Sequence, residues 1–200
     1  MTTVAALPTR RAAEIAKYDT AYCNDAYAMG SIRYHASRDM LASVFKQGRK
    51  KLVSSYLDIG CGRGEMLDAA RKIGFDDVLG TEAVRQLTKR DDVVHMLAHD
   101  LAEIRSQRYH VVSSFDVLEH LIPGDDEILI YEAGRIARDF VILTANNLPS
   151  VDWRTGNNLH INLRPYDEWL RLIAASLGPS WEVKQIPDKS PSAMFVAKRV

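Results

Sequence analysis

Short apolar segments alternate with amphipathic segments along most of this chain. Apolar runs of strand length occupy residues 52–59, 77–81, 93–98, 110–115, 140–144, 181–186 and 193–197. Apolar residues at helical spacing predict helices over residues 65–73, 83–90, 125–138 and 165–177. Strands that alternate with helices are typical of a largely parallel, doubly wound α/β sheet with helices on both faces. The last two strands follow each other without a helix and predict a closing hairpin.

Two further helices are predicted ahead of the first strand, over residues 10–18 and 31–47. We therefore divide the chain into an N-terminal helical cap, residues 1–51, and one globular α/β domain, residues 52–200. In parallel sheets ligands bind beyond the carboxyl ends of the strands, near the point where the strand order reverses. Candidate functional residues are therefore expected in the loops that follow strands.

Composition and charge are those of one globular domain. The chain has 200 residues, 46% hydrophobic and 26% charged, enough for a substantial core. Lysine plus arginine equals aspartate plus glutamate, at 26 each, which disfavours a nucleic-acid partner because counterion release needs a concentrated basic surface. The two cysteines, Cys23 and Cys61, form neither a disulfide framework nor a zinc site. No signal peptide or membrane-length apolar run is present, so a cytoplasmic protein without a membrane partner is expected.

A glycine-rich turn follows the first predicted strand, in Asp58-Ile59-Gly60-Cys61-Gly62-Arg63-Gly64-Glu65. Glycines at these positions let the backbone turn sharply and approach a ligand closely. The helix that follows points its N-terminus at that ligand. Dinucleotide-binding proteins use a similar turn, so the glycines alone do not identify the ligand.

Three acidic residues narrow the choice of ligand. Asp58 ends the first strand, where a carboxylate would meet a cationic group and repel a pyrophosphate. Glu82 follows the second strand, about twenty residues beyond the glycines, where an acid can hold ribose hydroxyls. Asp100 follows the third strand and can accept a hydrogen bond from an exocyclic amine. Together they predict a pocket for a nucleoside with a positively charged amino-acid tail.

With these residues the chain resembles the class I S-adenosylmethionine-dependent methyltransferases, over residues 52–200 and most strongly at residues 57–64. The resemblance implies a Rossmann-like seven-stranded sheet in the order 3-2-1-4-5-7-6, with an antiparallel last strand. It also implies methyl transfer from S-adenosyl-L-methionine to an oxygen, nitrogen or carbon atom of a small molecule, with S-adenosyl-L-homocysteine as the product. The ubiquinone- and menaquinone-type enzymes are the nearest well-known members.

The resemblance assigns the glycine turn to the methionine part of the cofactor, Glu82 to ribose and Asp100 to adenine. Cys61 lies within the turn, and we expect it to pack rather than to act as a nucleophile. Arg33 could pair with the carboxylate of the cofactor. The complete set of predicted cofactor-binding residues is Asp58, Gly60, Cys61, Gly62, Gly64, Glu82, Ala83, Asp100, Leu101, Asp116, Val117 and Arg33.

The segment Phe115-Asp116-Val117-Leu118-Glu119-His120-Leu121 is similar to the one that follows the fourth strand in small-molecule O- and C-methyltransferases. We predict His120 as a general base, since the ordinary pKa of a histidine side chain lies near neutrality. The predicted site contains no metal, although Asp116-x-x-Glu119-His120 resembles a proposed divalent-metal motif of the quinone-type relatives. Alternatively, Glu119 and His120 only cap the turn before Pro123.

A second candidate base, His160, lies in a polar loop over residues 146–162. A loop of this length without regular structure is more often functional than not, although His160 could instead anchor the loop to the core. Near the N-terminus, Tyr22, Tyr27 and Arg33 are candidates for ligand contact. Tyr18 lies four positions before Tyr22, so this pair is expected to pack in the core.

Several functions compete with small-molecule methylation. An RNA or protein acceptor leaves no dependable mark on this fold, and a catalytically silent S-adenosylmethionine-binding module is a further alternative. A nicotinamide-dependent oxidoreductase would lack Asp58 and would need a second domain, for which the chain has no room. Monomer and homodimer are both compatible with the sequence, which does not reveal the acceptor.

Overall fold

The computed structural model describes residues 7–21, 31–48, 54–187 and 192–200. Its α-helices are α1 (Leu7–Ala21), α2 (Ser31–Gly48), α3 (Glu65–Ile73), α4 (Asp125–Ile136) and α5 (Tyr166–Leu177). Its strands are β1 (Ser55–Ile59), β2 (Asp77–Glu82), β3 (Val93–His95), β4 (Tyr109–Ser114), β5 (Ala137–Asn146), β6 (Trp181–Ile186) and β7 (Ser192–Arg199). In these parts of the chain no helix is long and apolar enough to cross a membrane.

The strands form one sheet in the order β3-β2-β1-β4-β5-β7-β6. Strands β1 to β5 pair in parallel, and β7 runs antiparallel between β5 and β6. The predicted fold and the predicted terminal hairpin are thereby confirmed. The strand order reverses between β1 and β4, so the loops after these two strands diverge and open a crevice at the carboxyl edge of the sheet.

Apolar side chains on both faces of the central strands produce two cores. Neighbouring residues of β1 point to opposite faces: Tyr56 packs with α2 and α3, whereas Leu57 packs with α4 and α5. Val111 and Val112 of β4 divide in the same way. This burial on both faces explains why the sequences of these strands are continuous runs of apolar residues. Helix α2, placed by the sequence in the cap, contributes Leu41 to the core beneath the sheet.

Helix α3 has the bounds that its sequence predicts, because glycine flanks it at both ends. Gly74 has φ +119°, and its N–H donates to the carbonyl oxygens of Ala70 and Arg71, which ends the helix. Acidic residues occupy the first turn and basic residues the last, in agreement with the helix dipole. The N-terminus of α3 consequently starts directly behind the glycine turn.

Three predicted elements were wrong. The helix expected over residues 83–90 is only a 3-10 turn, Arg85–Leu87, because Val84 stays extended while its N–H donates to the Glu82 carboxylate. The strand expected over residues 93–98 ends at His95, since Ala98–Glu103 coils into a 3-10 helix. The helix expected to reach residue 138 ends at Ile136, where β5 begins without an intervening loop.

We expect Leu57→Ala to lower the free energy of unfolding by about 2–5 kcal/mol, because Leu57 is fully buried between β1 and helices α4 and α5 and its truncation leaves a cavity. Denaturant unfolding measures this loss. The matched variant Leu163→Ala, at a leucine that is 40% exposed, should change stability by about 0.5 kcal/mol or less. Equal losses in the two variants would contradict the assignment of Leu57 to the core.

Candidate active site

A cavity of about 520 Å³ lies at the carboxyl edge of the sheet. Loops after β1, β2, β3, β4 and β5 form its walls, and α1 contributes a further side. This is the crevice expected where the strand order reverses. The predicted site residues that line the cavity are Asp58, Gly60, Cys61, Gly62, Glu82, Ala83, Asp116, Val117, His120 and His160.

The glycine turn is held close to the two strands beside β1. Gly60 has φ +72°, and a Cβ atom there would lie 2.5 Å from Cγ2 of Val117, so only glycine fits. The N–H groups of Gly60 and Cys61 both donate to the carbonyl oxygen of Thr81, at 2.8 and 3.0 Å. At Gly62, with φ +56°, a Cβ atom would meet nothing within 4 Å. The backbone of the turn therefore borders open space on the cavity side.

Asp58 is a carboxyl group buried at the cavity wall, with only 3% of the residue exposed. The Ser113 hydroxyl donates to it at 2.6 Å, and Tyr56 in turn donates to Ser113 at 2.6 Å. Burial raises the pKa of Asp58 to about 7, although the Ser113 and Tyr56 hydrogen bonds act in the opposite direction. A cation in the cavity would stabilise the ionised carboxylate.

Glu82 is a second buried acid, and it connects two loops. One carboxylate oxygen accepts from the Gly62 N–H at 2.8 Å and the other from the Val84 N–H at 2.9 Å. Burial raises the pKa of Glu82, while these hydrogen bonds partly compensate. The side chain thus holds the glycine turn against the loop after β2.

Cys61 faces the cavity rim, but its thiol is packed against the neighbouring strand. A Cβ atom at Gly80 would lie 2.5 Å from the Cys61 sulfur, so β2 needs glycine at this point. Burial raises the pKa of the thiol, which keeps it protonated and weakly nucleophilic. These features favour a packing role.

Gly64, Asp100 and Leu101 are not among the residues that line the cavity. Gly64 precedes α3 and faces the Arg90 guanidinium. The Asp100 carboxylate accepts from the Leu97 N–H at 2.9 Å inside the 3-10 helix, and Leu101 is fully buried in the core. Because the chain coils after β3, the residues that reach the cavity wall there are Leu97, Ala98 and His99.

Asp116 has the left-handed φ of +53°, which is unusual for a residue other than glycine. Its N–H donates to the Thr144 hydroxyl at 2.7 Å, and its carboxylate accepts from Ser192 at 3.1 Å. These bonds to β5 and β7 draw the carboxylate toward the neighbouring strands. Val117, next in the chain, packs against Gly60.

Two histidines lie side by side in the segments that follow β4 and β5. The rings of His120 and His160 are edge to face, with centroids 4.7 Å apart. Nδ1 of His120 lies 2.9 Å from the Leu159 carbonyl oxygen, and Nδ1 of His160 lies 2.6 Å from that of Leu148. Since a carbonyl oxygen only accepts, we assign the proton of each neutral ring to Nδ1 and the lone pair to Nε2.

The loop that carries His160 is anchored by a buried acid that the sequence analysis missed. Asp126 is fully buried and accepts from Asn162 and Arg164, both at 2.8 Å. The N–H groups of Ile161 and Asn162 donate to the carbonyl oxygen of Glu119 at 3.0 Å. The backbone around His160 is thereby bonded to the backbone that carries His120.

Helix α1 borders the cavity through polar contacts. The Arg11 guanidinium binds the Asp125 carboxylate at the start of α4, with Nε 2.7 Å from Oδ2. The Tyr18 hydroxyl lies 2.5 Å from Nδ1 of His120, so the expectation that Tyr18 packs in the core was wrong. A spacing of four residues places two side chains on one face of a helix, but it does not show whether that face packs in the core or borders a cavity. Tyr22, Tyr27 and the side chain of Arg33 lie outside the described residues.

Comparisons with known proteins agree with this geometry. The sequence pattern of the family described as methyltransferase domain matches residues 29–139, more than half of the chain. No curated protein sequence matches the chain significantly.

Solved structures with the same fold include three methyltransferases. The magnesium protoporphyrin IX methyltransferase of Synechocystis, with bound S-adenosylmethionine, has a TM-score of 0.66 at 13% identity, over 100% of both chains. An S-adenosylmethionine-dependent methyltransferase of Archaeoglobus fulgidus has a TM-score of 0.54 at 17% identity, over 81% of this chain and 94% of that one. An O-methyltransferase family protein of Burkholderia thailandensis has a TM-score of 0.56 at 13% identity, over 83% of this chain and 59% of that one.

The raised pKa of Asp58 predicts a specific dependence of stability on pH. The folded carboxyl keeps its proton up to about pH 7, whereas the unfolded one loses it near pH 3.8. Between these values the folded state binds more protons, so stability decreases as the pH rises, by at most about 4 kcal/mol. Unfolding measured from about pH 4 to pH 8 should show this loss relative to Asp58→Asn. The exposed control Asp91→Asn should keep the wild-type profile, and identical profiles for wild type and Asp58→Asn would contradict the assignment.

Proposed function

Because this chain belongs to the methyltransferase-domain family and is an S-adenosylmethionine-dependent methyltransferase, we propose that it methylates a small molecule bound inside the cavity. The observation that carries the proposal is that one cavity is lined by Asp58 and Glu82 where β1 and β2 end, its acidic end, and by His120 and His160 after β4 and β5, its imidazole end. A volume of about 520 Å³ is in the range of small-molecule pockets. Helix α1 lies across this space, which favours a small acceptor over a folded macromolecule.

The acidic end fits the cofactor. S-adenosylmethionine, when bound, supplies a methyl group on a positively charged sulfonium. The charged amino group of its amino-acid part matches the buried carboxylate Asp58, and the open space beside Gly62 admits a ligand close to the backbone. We assign Asp58 and the glycine turn to the amino-acid part, and Glu82 to the ribose. The loop after β3 would hold the adenine through Ala98 and His99, which line the cavity where Asp100 does not.

The imidazole end is assigned to the acceptor. His120 is our candidate general base: Nε2 would take the proton of an acceptor hydroxyl or amine. The Leu159 carbonyl, 2.9 Å from Nδ1, fixes the tautomer and would stabilise the imidazolium that forms. His160 is held in the same way by Leu148 and is the second candidate. Leu148 and Ile122 add apolar walls on this side, where an aromatic or aliphatic acceptor would lie.

Two further observations support a small acceptor. The net charge of zero provides no general attraction for RNA. The structural relative in Synechocystis is described as acting on magnesium protoporphyrin IX, although a likeness at 13% identity extends to the fold alone. The resemblance to the quinone-type enzymes makes phenols and hydroquinones the first acceptors to test.

Cofactor binding should depend on Glu82. We expect Glu82→Gln to weaken the binding of S-adenosylhomocysteine about tenfold, because an amide cannot replace both acceptor oxygens of the carboxylate. Calorimetric titration measures this change. The exposed variant Glu103→Gln should bind as the wild type does. Undiminished affinity of the Glu82 variant, or binding of NADH in place of the methyl donor, would contradict the assignment.

Methyl transfer should depend on the histidine pair more than cofactor binding does. We expect His120→Ala to lower kcat by about 10²–10⁴-fold for an oxygen or nitrogen acceptor, with little change in affinity for S-adenosylhomocysteine. The assay follows S-adenosylhomocysteine release with a panel of phenols, hydroquinones, carboxylic acids and amines, and His160→Ala is measured in parallel. Activity confined to RNA or protein acceptors would overturn the small-molecule proposal.

A further inference from the structure

The side chain of Tyr18, on α1, contacts two groups of the imidazole end at once. Its hydroxyl oxygen lies 2.5 Å from Nδ1 of His120 and donates a hydrogen bond to the Leu159 carbonyl oxygen at 3.0 Å. The same carbonyl oxygen lies 2.9 Å from Nδ1. We propose that Tyr18 is a positioning residue for His120, because it holds the imidazole in the tautomer and orientation that a general base needs.

The hydrogen bonds among these three groups decide which atom carries each proton. The Leu159 carbonyl oxygen only accepts, so the Tyr18 hydroxyl gives its proton to that oxygen and turns a lone pair toward Nδ1. The Nδ1 proton of His120 is then shared between the phenol oxygen and the carbonyl oxygen. In the other tautomer the phenol could donate to Nδ1, but the Leu159 carbonyl would lose both of these donors and face Nδ1 as a second acceptor at 2.9 Å. Tyr18 therefore favours the ring with its lone pair on Nε2.

Ring packing limits the rotation of the imidazole as well. The Tyr18 and His120 rings are edge to face, with centroids 5.3 Å apart and planes at 85°. The His160 ring also lies edge to face against His120, at 4.7 Å. Aromatic pairs prefer this geometry, and rotation of the His120 ring would disturb both contacts. Tyr18 thus restricts the direction in which Nε2 points, in addition to the tautomer.

The position of Tyr18 is itself fixed by the loop after β5. Lys17, its neighbour in α1, donates to the carbonyl oxygen of Asn158 at 3.2 Å, so successive α1 side chains bind successive carbonyl groups. Leu159 is only 1% exposed, and its N–H donates to the Ser150 carbonyl oxygen at 2.8 Å. The phenol therefore contacts a carbonyl group that the loop holds in place, and it carries that restraint to the imidazole.

The same contacts assist proton transfer. When Nε2 takes the proton of an acceptor hydroxyl or amine, the ring becomes an imidazolium and Nδ1–H becomes a stronger donor. The Tyr18 oxygen and the Leu159 carbonyl oxygen both accept from it and stabilise the positive charge. Tyr18 acts through His120 and does not need to touch the acceptor or the cofactor. This catalytic role rests on the proposed function, whereas the effect of Tyr18 on the ring does not.

The variant Tyr18→Phe tests the inference, because it removes the hydroxyl and keeps the aromatic ring. Nuclear magnetic resonance of ¹⁵N-histidine-labelled protein reports the protonation and tautomer of each imidazole, and the His120 signals are those lost in His120→Ala. We expect the midpoint of His120 protonation to move about 0.5–1 pH unit lower, since the imidazolium loses an acceptor, and the share of the Nδ1–H tautomer to fall. Tyr131→Phe, at a tyrosine of α4 that is 57% exposed, is the matched control and should titrate as the wild type does.

The other ionisable groups around His120 are the same in the wild type and in both tyrosine variants, so their influence on its titration stays constant. They belong to α1, to the start of α4 and to the segments after β4 and β5, and they are Arg11, Glu14, Asp116, Glu119, Asp125 and His160. A difference between Tyr18→Phe and Tyr131→Phe therefore reports the phenol contact.

Methyl transfer separates positioning from a purely structural role. Tyr18→Phe should lower kcat about tenfold at unchanged affinity for S-adenosylhomocysteine, and the acidic limb of the kcat profile should move to lower pH together with the titration midpoint. A His120 titration equal to that of Tyr131→Phe overturns the inference, whether or not the chain methylates the tested acceptors. If the titration shifts but His120→Ala keeps full activity, Tyr18 still positions the ring and the base assigned in the proposed function fails.

Discussion

The contact between Gly60 and Val117 is the constraint on which the site depends. Gly60 turns the chain out of β1, and Val117 follows β4, so their contact joins the loops on the two sides of the reversal in strand order. A Cβ atom at residue 60 would lie 2.5 Å from the valine, so the two loops approach each other as closely as glycine at this position allows. Thr81 completes this arrangement by accepting hydrogen bonds from both Gly60 and Cys61.

Local signals in the sequence were sufficient for much of the fold. Glycines in the left-handed conformation set both ends of α3, and continuous apolar runs marked strands that are covered on both faces. Where a hydrogen bond between a side chain and the nearby backbone decides the local structure, prediction failed. Residues 83–90 have helical spacing, but the carboxylate of Glu82 holds Val84 extended. Asp100 follows a strand as expected, yet its carboxylate accepts from the Leu97 N–H at the start of a 3-10 helix, and Asp100 does not line the cavity.

The candidate site, like the fold, was predictable only in part. The position of Asp58 and Glu82 at the cavity was predictable because both stand at the carboxyl ends of predicted strands, whereas their role in cofactor binding stays a prediction. The neighbours of His120 could not be predicted from the sequence. Tyr18 lies 102 residues before His120 in the chain and His160 lies 40 residues after it. The role of Asp126 was not predicted for a different reason. An acid in the first turn of a helix usually interacts with the helix dipole, whereas Asp126 is fully buried and accepts hydrogen bonds from Asn162 and Arg164 of the loop.

The way in which α1 is attached has a consequence for the kinetics of the protein. Among residues 8–18 no side chain is buried, and the helix is held by the Arg11–Asp125 ion pair and by hydrogen bonds from Lys17 and Tyr18. Its detachment would expose little apolar surface, so the opening of the cavity is energetically inexpensive compared with unfolding of the sheet. Ligand exchange would then depend on a local electrostatic equilibrium, which salt screens, while the candidate catalytic residues His120 and His160 stay attached to the segments after β4 and β5.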